Sequence, residues 1–309
     1  MPKVVIIAGP TASGKSALAI DVARALNSAV LNSDSMQIYK NIPVISAAPS
    51  AEERQQVEHK LYEIYDCTKR GNVVEWLDLC VAEIKKLWAE NKVPVVVGGT
   101  GMYIDALING VTPIPEVSAE IREKVQIWLN KDGLSALYAF LQKYDADIAA
   151  KLNSNDKTRI VRAVEIMTAT NQKVSEWYKI PMIKKLPEAE FIVVKIVPDI
   201  DVIEERCKFR LDKMVYEWGV LKEIEYLAVR QISETLPAMK ALGVPELLRY
   251  VKGETSLEKA LQEAKLHTRQ YAKRQRTWLR NKLPADIVFE DVYAGQAEIL
   301  AQILNRANA

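Results

Sequence analysis

The first residues whose types and spacing could support chemistry lie in a glycine-rich loop near the N-terminus, which fits the pattern G-x-x-x-x-G-K-[ST]. Glycines in this pattern let backbone N–H groups turn toward phosphate oxygens, and the following helix N-terminus adds partial positive charge. Lys15 supplies a cation, and the Ser16 hydroxyl can bind Mg²⁺. The loop therefore predicts a site for a diphosphate or a triphosphate such as ATP. Its residues are Gly9, Pro10, Thr11, Ala12, Ser13, Gly14, Lys15 and Ser16.

The loop alone does not define a reaction, because kinases, GTPases and transferases all bind phosphates in this way. Many hydrolases with such a loop carry an Asp after an apolar strand to hold Mg²⁺. Here the apolar strand predicted at residues 93–97 is followed by Gly98 and Gly99, and no NKxD guanine-reading motif occurs. A small-molecule kinase and an RNA-binding nucleotide switch remain as alternative functions, and an ordinary glycine-containing turn is the structural alternative.

Two polar side chains follow other predicted strands. Asp34 comes at the end of a strand near residues 30–34, and in a parallel sheet this end opens onto the same crevice as the phosphate-binding loop. A carboxylate there could accept a proton as a general base. Thr100, in the turn after residues 93–97, offers a hydroxyl group to the same crevice. The structural alternatives are that Asp34 caps its own loop and that Thr100 belongs to a simple glycine turn.

Basic residues supply two further candidates. Arg206 and Arg210 are four residues apart on a predicted helix, so they share a face and could close over phosphates, although ion pairs with Glu204 and Glu205 would explain them as well. Residues 265–282 contain seven Lys or Arg and no acidic residue, a pattern that predicts a helix able to follow an RNA backbone. Tyr271 and Trp278 on this helix are interpreted as core contacts, with base-stacking platforms as the alternative. The basic stripe comprises Lys265, Arg269, Lys273, Arg276 and Arg280.

The order of the predicted elements indicates how these residues are positioned. Apolar strands alternate with helical segments at both ends of the chain, which predicts an α/β fold: a P-loop NTPase-like parallel sheet core flanked by helices. Helical spacing at residues 118–178 interrupts this pattern and predicts an inserted, smaller, all-helical domain. We expect the core domain at residues 1–113 and 188–309, with the basic helix near its end, and the insertion at residues 114–187.

Composition sets the wider context. The chain has 309 residues, 49% of them hydrophobic, and a formal net charge of +2, so RNA binding would depend on local basic patches. Cys67, Cys80 and Cys207 form no CxxC pair and suit neither a disulfide framework nor a structural zinc site. The apolar run at residues 4–8 is too short for a membrane span and lacks the layout of a signal peptide. We expect a cytoplasmic, monomeric protein without membrane contact.

Several of these segments occur in an order shared with a known family. Four are residues 9–16 (GPTASGKS), 32–39 (NSDSMQIY), 98–103 (GGTGMY) and 269–275 (RQYAKRQ), the last followed by Thr277 and Trp278. Weaker matches are residues 158–165 and 241–243. Together they resemble bacterial tRNA dimethylallyltransferases over nearly the whole chain.

The resemblance implies transfer of the dimethylallyl group from dimethylallyl diphosphate to N6 of the adenosine on the 3′ side of the anticodon, position 37, with release of diphosphate. It implies that the phosphate-binding loop holds the diphosphate with Mg²⁺ on Ser16, helped by Arg210 and Arg206. Asp34 would be the general base and Thr100 would assist it. The helical insertion would clamp the anticodon stem-loop of tRNA.

The resemblance, together with the basic stripe, also gives a set of expected tRNA contacts. One departure stands out: where relatives usually read GTAKP, residues 45–49 read ISAAP and lack the Gly and Lys. The expected contacts are Asp34, Ser35, Met36, Gln37, Thr158, Arg159, Arg162, Lys240, Gly243, Arg269, Lys273 and Arg276.

Overall fold

The computed structural model of the chain describes residues 1–309, and its central feature is a six-stranded parallel sheet. In spatial order the strands run β3-β2-β4-β1-β5-β6. This arrangement confirms the predicted α/β fold. The strands are β1 (Lys3–Ala8), β2 (Val30–Asn32), β3 (His59–Lys60), β4 (Val95–Gly98), β5 (Glu190–Ile196) and β6 (Ile287–Phe289).

The central strands are continuous apolar runs because helices cover both faces of a parallel sheet. Residues 4–8 of β1 are fully buried, with Val5 opposite Val95 of β4 and Ile192 of β5. Since β1, β2 and β4 are adjacent and parallel, the segments that follow their carboxyl ends emerge at one edge of the sheet. These segments are the phosphate-binding loop, the Asp34 segment and the Thr100 turn.

Fourteen α-helices and one short 3-10 helix (Pro237–Lys240) connect the strands. The long basic segment forms α13 as predicted, with an N-cap in which the Ser256 side chain accepts a hydrogen bond from the Lys259 N–H. The helices are α1 (Lys15–Ala25), α2 (Pro43–Ser46), α3 (Ala51–Gln56), α4 (Val73–Ala89), α5 (Gly101–Asn109), α6 (Ala119–Tyr144), α7 (Ala146–Ala149), α8 (Lys157–Thr170), α9 (Val174–Trp177), α10 (Ile200–Tyr216), α11 (Val220–Val229), α12 (Val244–Val251), α13 (Leu257–Lys282) and α14 (Ala297–Asn308).

The chain divides into two compact units, and the first contains residues 1–108 and 185–309. Its core includes side chains of the sheet strands, of α1 and of α14, among them Ile7, Leu18 and Ile303, all fully buried. Lys195 of β5 is also buried, and its ammonium group donates to the Leu279 and Leu283 carbonyls at the end of α13. None of the helices combines the length and the apolar character needed to cross a bilayer.

The second unit, Asn109–Lys184, is helical and has its own apolar core, which includes Leu137, Leu141 and Ile160. The predicted boundaries were 114 and 187. Gly133 has a φ of 80° and ψ of 174°, and interrupts α6. Asp145 is buried between the ends of helices: its carboxylate accepts hydrogen bonds from the Ile148 and Ser175 N–H groups. An unpaired buried carboxylate would be costly, so these bonds fix the turn.

Candidate active site

The phosphate-binding loop joins β1 to α1, as its sequence predicts. Gly14 lies at the helix N-cap with a φ of +86°, and a Cβ there would collide with the Tyr293 backbone, so glycine is required. Lys15 is buried, and its ammonium group lies 3.3 Å from the Pro10 carbonyl oxygen. Burial lowers the pKa of Lys15 to about 8, and the nearby Arg210 adds to this, while Asp34 opposes it. Lys15 therefore remains a cation at neutral pH and loses its proton near pH 8.

Arg206 and Arg210 of α10 both contact this loop. The Arg206 Nε donates to the Ala12 carbonyl at 2.8 Å, and the Arg210 guanidinium donates to the Thr11 hydroxyl. The alternative ion pair of these arginines with Glu204 is not formed, because Glu204 binds Lys208 and Arg269 instead. Burial lowers the pKa of Arg210 from its ordinary value, yet a guanidinium remains charged. The loop is therefore in contact with three cations, Lys15, Arg206 and Arg210.

Asp34 caps its own loop, which was the structural alternative to a catalytic role. It also lies at the cavity beside the phosphate-binding loop. Its Oδ1 accepts a hydrogen bond from the Met36 N–H at 2.9 Å. The same carboxylate lies on the wall of a cavity shared with Thr11 and Arg210, and its charge acts on Lys15. One oxygen therefore shapes the loop, while the other makes no hydrogen bond with the protein.

The position of Asp34 depends on Asn32, which is fully buried. The Asn32 amide accepts from the Asp34 N–H at 2.7 Å and donates to the carbonyls of Asp34 and Leu61 at 3.0 and 3.1 Å. Leu61 has a φ of 65°, a conformation that is uncommon outside glycine. Three hydrogen bonds from one buried side chain therefore hold the turn that carries the carboxylate.

Thr100 lies beside the Asp34 segment without forming part of the cavity wall. Its Oγ1 accepts from the Ser35 N–H at 3.0 Å and lies 3.3 Å from the Ser35 hydroxyl.

Gln275 of α13 is the residue that sequence reasoning missed. Its buried amide accepts from the Thr11 N–H at 3.0 Å and donates to the Gly99 carbonyl at 2.9 Å. It thus links two loops of the site; the sequence pointed to Gln275 only as the last residue of the segment 269–275.

The cavity has a volume of about 370 Å³ and lies within the first unit. Tyr271 and Arg274 of α13 form part of its wall, with the Arg274 guanidinium 5.7 Å from the Tyr271 ring centroid. The expected core contact of Tyr271 is therefore wrong, because its side chain lines the cavity. Burial raises the pKa of Tyr271 to about 12, so its hydroxyl stays protonated at neutral pH. The lining residues are Thr11, Asp34, Ser35, Met36, Ile45, Ser46, Cys207, Arg210, Leu211, Met214, Lys240, Ala241, Leu242, Thr268, Tyr271, Arg274 and Gln275.

The predicted basic stripe is real but partly neutralised by α10 and its N-cap. Arg269 pairs with Glu204 at 2.5 Å, Arg276 with Asp199 at 3.0 Å and Lys265 with Asp212 at 2.6 Å. Lys273 and Arg280 are exposed and form no ion pair. Trp278 packs on Gly101, where a Cβ would lie only 2.5 Å from its ring, in keeping with its interpretation as a core contact.

The other expected tRNA contacts lie in different places. Gln37 donates to the Ser46 and Ala47 carbonyls, and Gly243 has a φ of +89° at the N-cap of α12. Lys240 lines the cavity. Thr158, Arg159 and Arg162 are exposed on α8 of the second unit, where Arg162 lies 3.2 Å from Glu165.

The donor set of the phosphate-binding loop fits Mg²⁺. Ser16 follows Lys15 at the start of α1 and is partly exposed, and the Ser13 hydroxyl is buried in the loop without a hydrogen-bond partner. Mg²⁺ in phosphate sites commonly takes one or two protein oxygens and fills its remaining positions with phosphate oxygens and water. A single hydroxyl beside a phosphate cradle is sufficient for this arrangement.

Comparison with known proteins gives a consistent result. The sequence profile described as "IPP transferase" matches residues 37–282. The chain is 40% identical over 283 residues to a tRNA dimethylallyltransferase of Rhodopseudomonas palustris, covering 92% of this chain and 88% of that protein. It is 41% identical over 282 residues to the enzyme of that name from a Bradyrhizobium species, covering 91% of this chain and 92% of that protein.

Solved structures give the same picture. A tRNA isopentenylpyrophosphate transferase of Bacillus halodurans matches with a TM-score of 0.70 at 30% identity, covering all of this chain and 96% of that one. A eukaryotic dimethylallyltransferase acting on tRNA matches with a TM-score of 0.82 at 30% identity, covering all of this chain and 78% of the other.

Proposed function

The chain belongs to the IPP transferase family and is a prenyltransferase that acts on tRNA, and on this premise we propose the details of its reaction. It transfers the dimethylallyl group from dimethylallyl diphosphate to N6 of the adenosine on the 3′ side of the anticodon and releases diphosphate. The observation that carries this proposal is the single cavity whose wall includes Thr11 of the phosphate-binding loop, Arg210 and the Asp34 carboxylate.

The phosphate-binding loop holds the diphosphate and stabilises it as the leaving group. Lys15, Arg206 and Arg210 concentrate positive charge on this loop, and charge that develops on the leaving oxygen is stabilised by such fixed donors. Gln275 acts as a positioning residue, because it fixes the Thr11 N–H relative to the Gly99 turn. When Mg²⁺ is bound, it supplies further charge neutralisation for the phosphates, and Ser16 is the residue that would hold it.

Asp34 accepts the proton of the attacking amine. The C1–O bond of the substrate breaks, the N6–C1 bond forms, the bonding electrons leave with diphosphate, and the N6 proton passes to the free Asp34 oxygen. An exocyclic adenine amine is a poor nucleophile until its proton is removed, so the general base lowers the barrier. The adenine must leave its stack to reach the cavity. Thr100 assists indirectly by holding Ser35, next to Asp34.

Contacts with tRNA are proposed in three regions. The Asp34–Gln37 segment would meet the extruded base, α13 would follow the backbone with Lys273 and its neighbours, and the exposed Arg159 and Arg162 of the helical unit would bind the anticodon stem-loop. Lys240 and Gly243 complete the proposed set. We place the protein in the cytoplasm, because that is where its tRNA substrate is found. We further propose that it acts as a monomer.

The proposed reaction is tested by incubating the protein and Mg²⁺ with labelled dimethylallyl diphosphate and unmodified tRNA. We expect label in tRNA and, after digestion, an N6-dimethylallyl adenosine from the position beside the anticodon. Replacing that adenosine by guanosine in a transcript should abolish incorporation. Label at another nucleoside, or none, would contradict the proposal.

A further inference from the structure

The cavity wall divides into two chemically different parts. One part, on α13 and the Asp34 segment, is polar and aromatic and includes Asp34, Tyr271 and Arg274. The other part is apolar: Leu211 and Met214 come from α10, Ile45 from α2, and Ala241 and Leu242 from the turn before α12. A flat purine suits the aromatic side, whereas an alkenyl chain gains most from the apolar side.

The position of Arg210 gives the direction in which the alkenyl chain runs. Arg210 contacts the phosphate-binding loop, and Leu211 and Met214 follow it on the same side of α10. Four residues of α-helix span about 6 Å, which is close to the length of an extended dimethylallyl group. A diphosphate held at Arg210 would therefore direct a single isoprene unit along the apolar lining that contains Leu211, Met214 and Ile45.

Ile45 is part of the apolar wall, and its backbone is held in place by a hydrogen bond. A Cβ built on Gly243 would lie 2.9 Å from the Ile45 Cδ1 and 3.9 Å from the Leu211 Cδ1, so both side chains lie close to Gly243. The Glu223 carboxylate accepts from the Val44 and Ile45 N–H groups at 2.7 and 3.0 Å. Ile45 itself is only 7% exposed. These bonds fix the backbone at Ile45, and its buried side chain lies against Gly243.

We propose that Ile45 determines the length of the prenyl group by closing the cavity after one isoprene unit. This inference rests on the proposed function. Geranyl diphosphate, the allylic diphosphate with one more unit, would drive its second unit into the Ile45 side chain. A well-packed wall resists overpacking, and discrimination in hydrophobic pockets amounts to roughly 10–200-fold per methylene group.

The test compares transfer to tRNA from dimethylallyl and geranyl diphosphate, expressed as the ratio of the two kcat/KM values. In Ile45→Ala we expect the relative use of geranyl diphosphate to rise at least about tenfold. Ile45→Val removes only the outermost methyl group, keeps the fold with greater certainty, and should give a smaller rise in the same direction. Thermal melting shows that each variant is folded.

Ile42→Ala is the matched control, because Ile42 is a fully buried isoleucine in the same segment that does not line the cavity. Its ratio should equal that of the wild type. An unchanged ratio in folded Ile45 variants that still use dimethylallyl diphosphate, or an equal rise in Ile42→Ala, would overturn the inference. Failure of the wild type to transfer any dimethylallyl group would instead reject the proposed function.

Discussion

At the scale of single residues, the two carboxylate oxygens of Asp34 have different roles. Oδ1 accepts the Met36 N–H and shapes the loop, the other oxygen makes no hydrogen bond with the protein, and the residue lines the cavity. Substitution by Asn keeps an oxygen for the loop and removes the base. This makes Asp34→Asn a cleaner test of catalysis than Asp34→Ala, which would lose both functions.

We predict that Asp34→Asn lowers kcat by about 10²–10⁴-fold, the usual contribution of a general base. The affinity for tRNA should be nearly unchanged, because the loop keeps its shape. Single-turnover rates with saturating tRNA and a filter-binding isotherm measure the two quantities. Full activity of the variant would remove Asp34 from the mechanism.

The titration of Lys15 gives a second prediction at this scale. Because burial lowers its pKa to about 8, the cation is present below pH 8 and is lost above it. Affinity for diphosphate should therefore fall as pH rises through 8. Isothermal titration from pH 6.5 to 9.5 measures this, with Lys15→Arg as the comparison, since guanidinium stays charged. An identical decline in Lys15→Arg would assign the effect to another group.

The lowered pKa of Lys15 also affects the free energy of unfolding. Unfolded Lys15 keeps its proton to about pH 10.5, whereas the folded protein releases it near pH 8. Between these values the unfolded chain binds more protons, so this residue makes the free energy of unfolding rise with pH. The site thus contains a cation that costs stability at neutral pH, as expected for a group kept for ligand binding.

At the scale of elements, α13 connects the site to the proposed RNA surface. Gln275 on this helix holds the Thr11 N–H and the Gly99 carbonyl. We predict that Gln275→Ala lowers kcat/KM for dimethylallyl diphosphate and destabilises the protein, because unpaired buried backbone groups cost about 1–3 kcal/mol. Gln262→Ala, an exposed glutamine on the same helix, is the control. Substrate kinetics and thermal melting of both variants measure the effect of the two Gln275 hydrogen bonds. Wild-type values in Gln275→Ala would contradict the prediction.

Ion pairs with acidic residues reduce the number of free cations on α13 that could bind the tRNA backbone. Arg269 and Arg276 are paired with acidic residues, whereas Lys273 is not. Neutralising all three should weaken tRNA binding and reduce its dependence on log salt concentration by roughly 0.7–0.9 log units per lost phosphate contact. Lys273→Ala alone should reduce the slope of log affinity against log salt concentration by the amount of one phosphate contact. Lys85→Ala, on exposed α4 surface, should leave the slope unchanged; an unaltered slope in the triple variant would assign the stripe to structure.

At the scale of the whole molecule, the question is which ligand stabilises the fold. A ligand at 100 times its Kd adds about 2.7 kcal/mol to the free energy of unfolding. A non-reactive dimethylallyl diphosphate analogue with Mg²⁺ should therefore raise Tm by several degrees, and ATP should have a smaller effect. Differential scanning fluorimetry makes the comparison directly. Selective stabilisation by ATP would favour the kinase alternative.

Much of this protein could be inferred from sequence because its signals are local. The phosphate-binding loop, the strands at β1, β4 and β5, and the basic helix each depend on residues close together in the chain, whose periodicity and glycine placement follow from backbone geometry. Asp34 was found in the same way, since a carboxylate after a parallel strand must lie near the other strand ends.

Only the tertiary structure decided which distant side chains meet. Gln275 contacts Thr11 although they are far apart in sequence, Glu204 of α10 and Asp199 at its N-cap pair with Arg269 and Arg276 of α13, and Ile45 lies against Gly243. Such contacts depend on how helices pack against each other and on the sheet, and periodicity within one segment carries no information about its partner. The chemistry of the site was therefore readable from the chain, whereas its dimensions and its net charge were not.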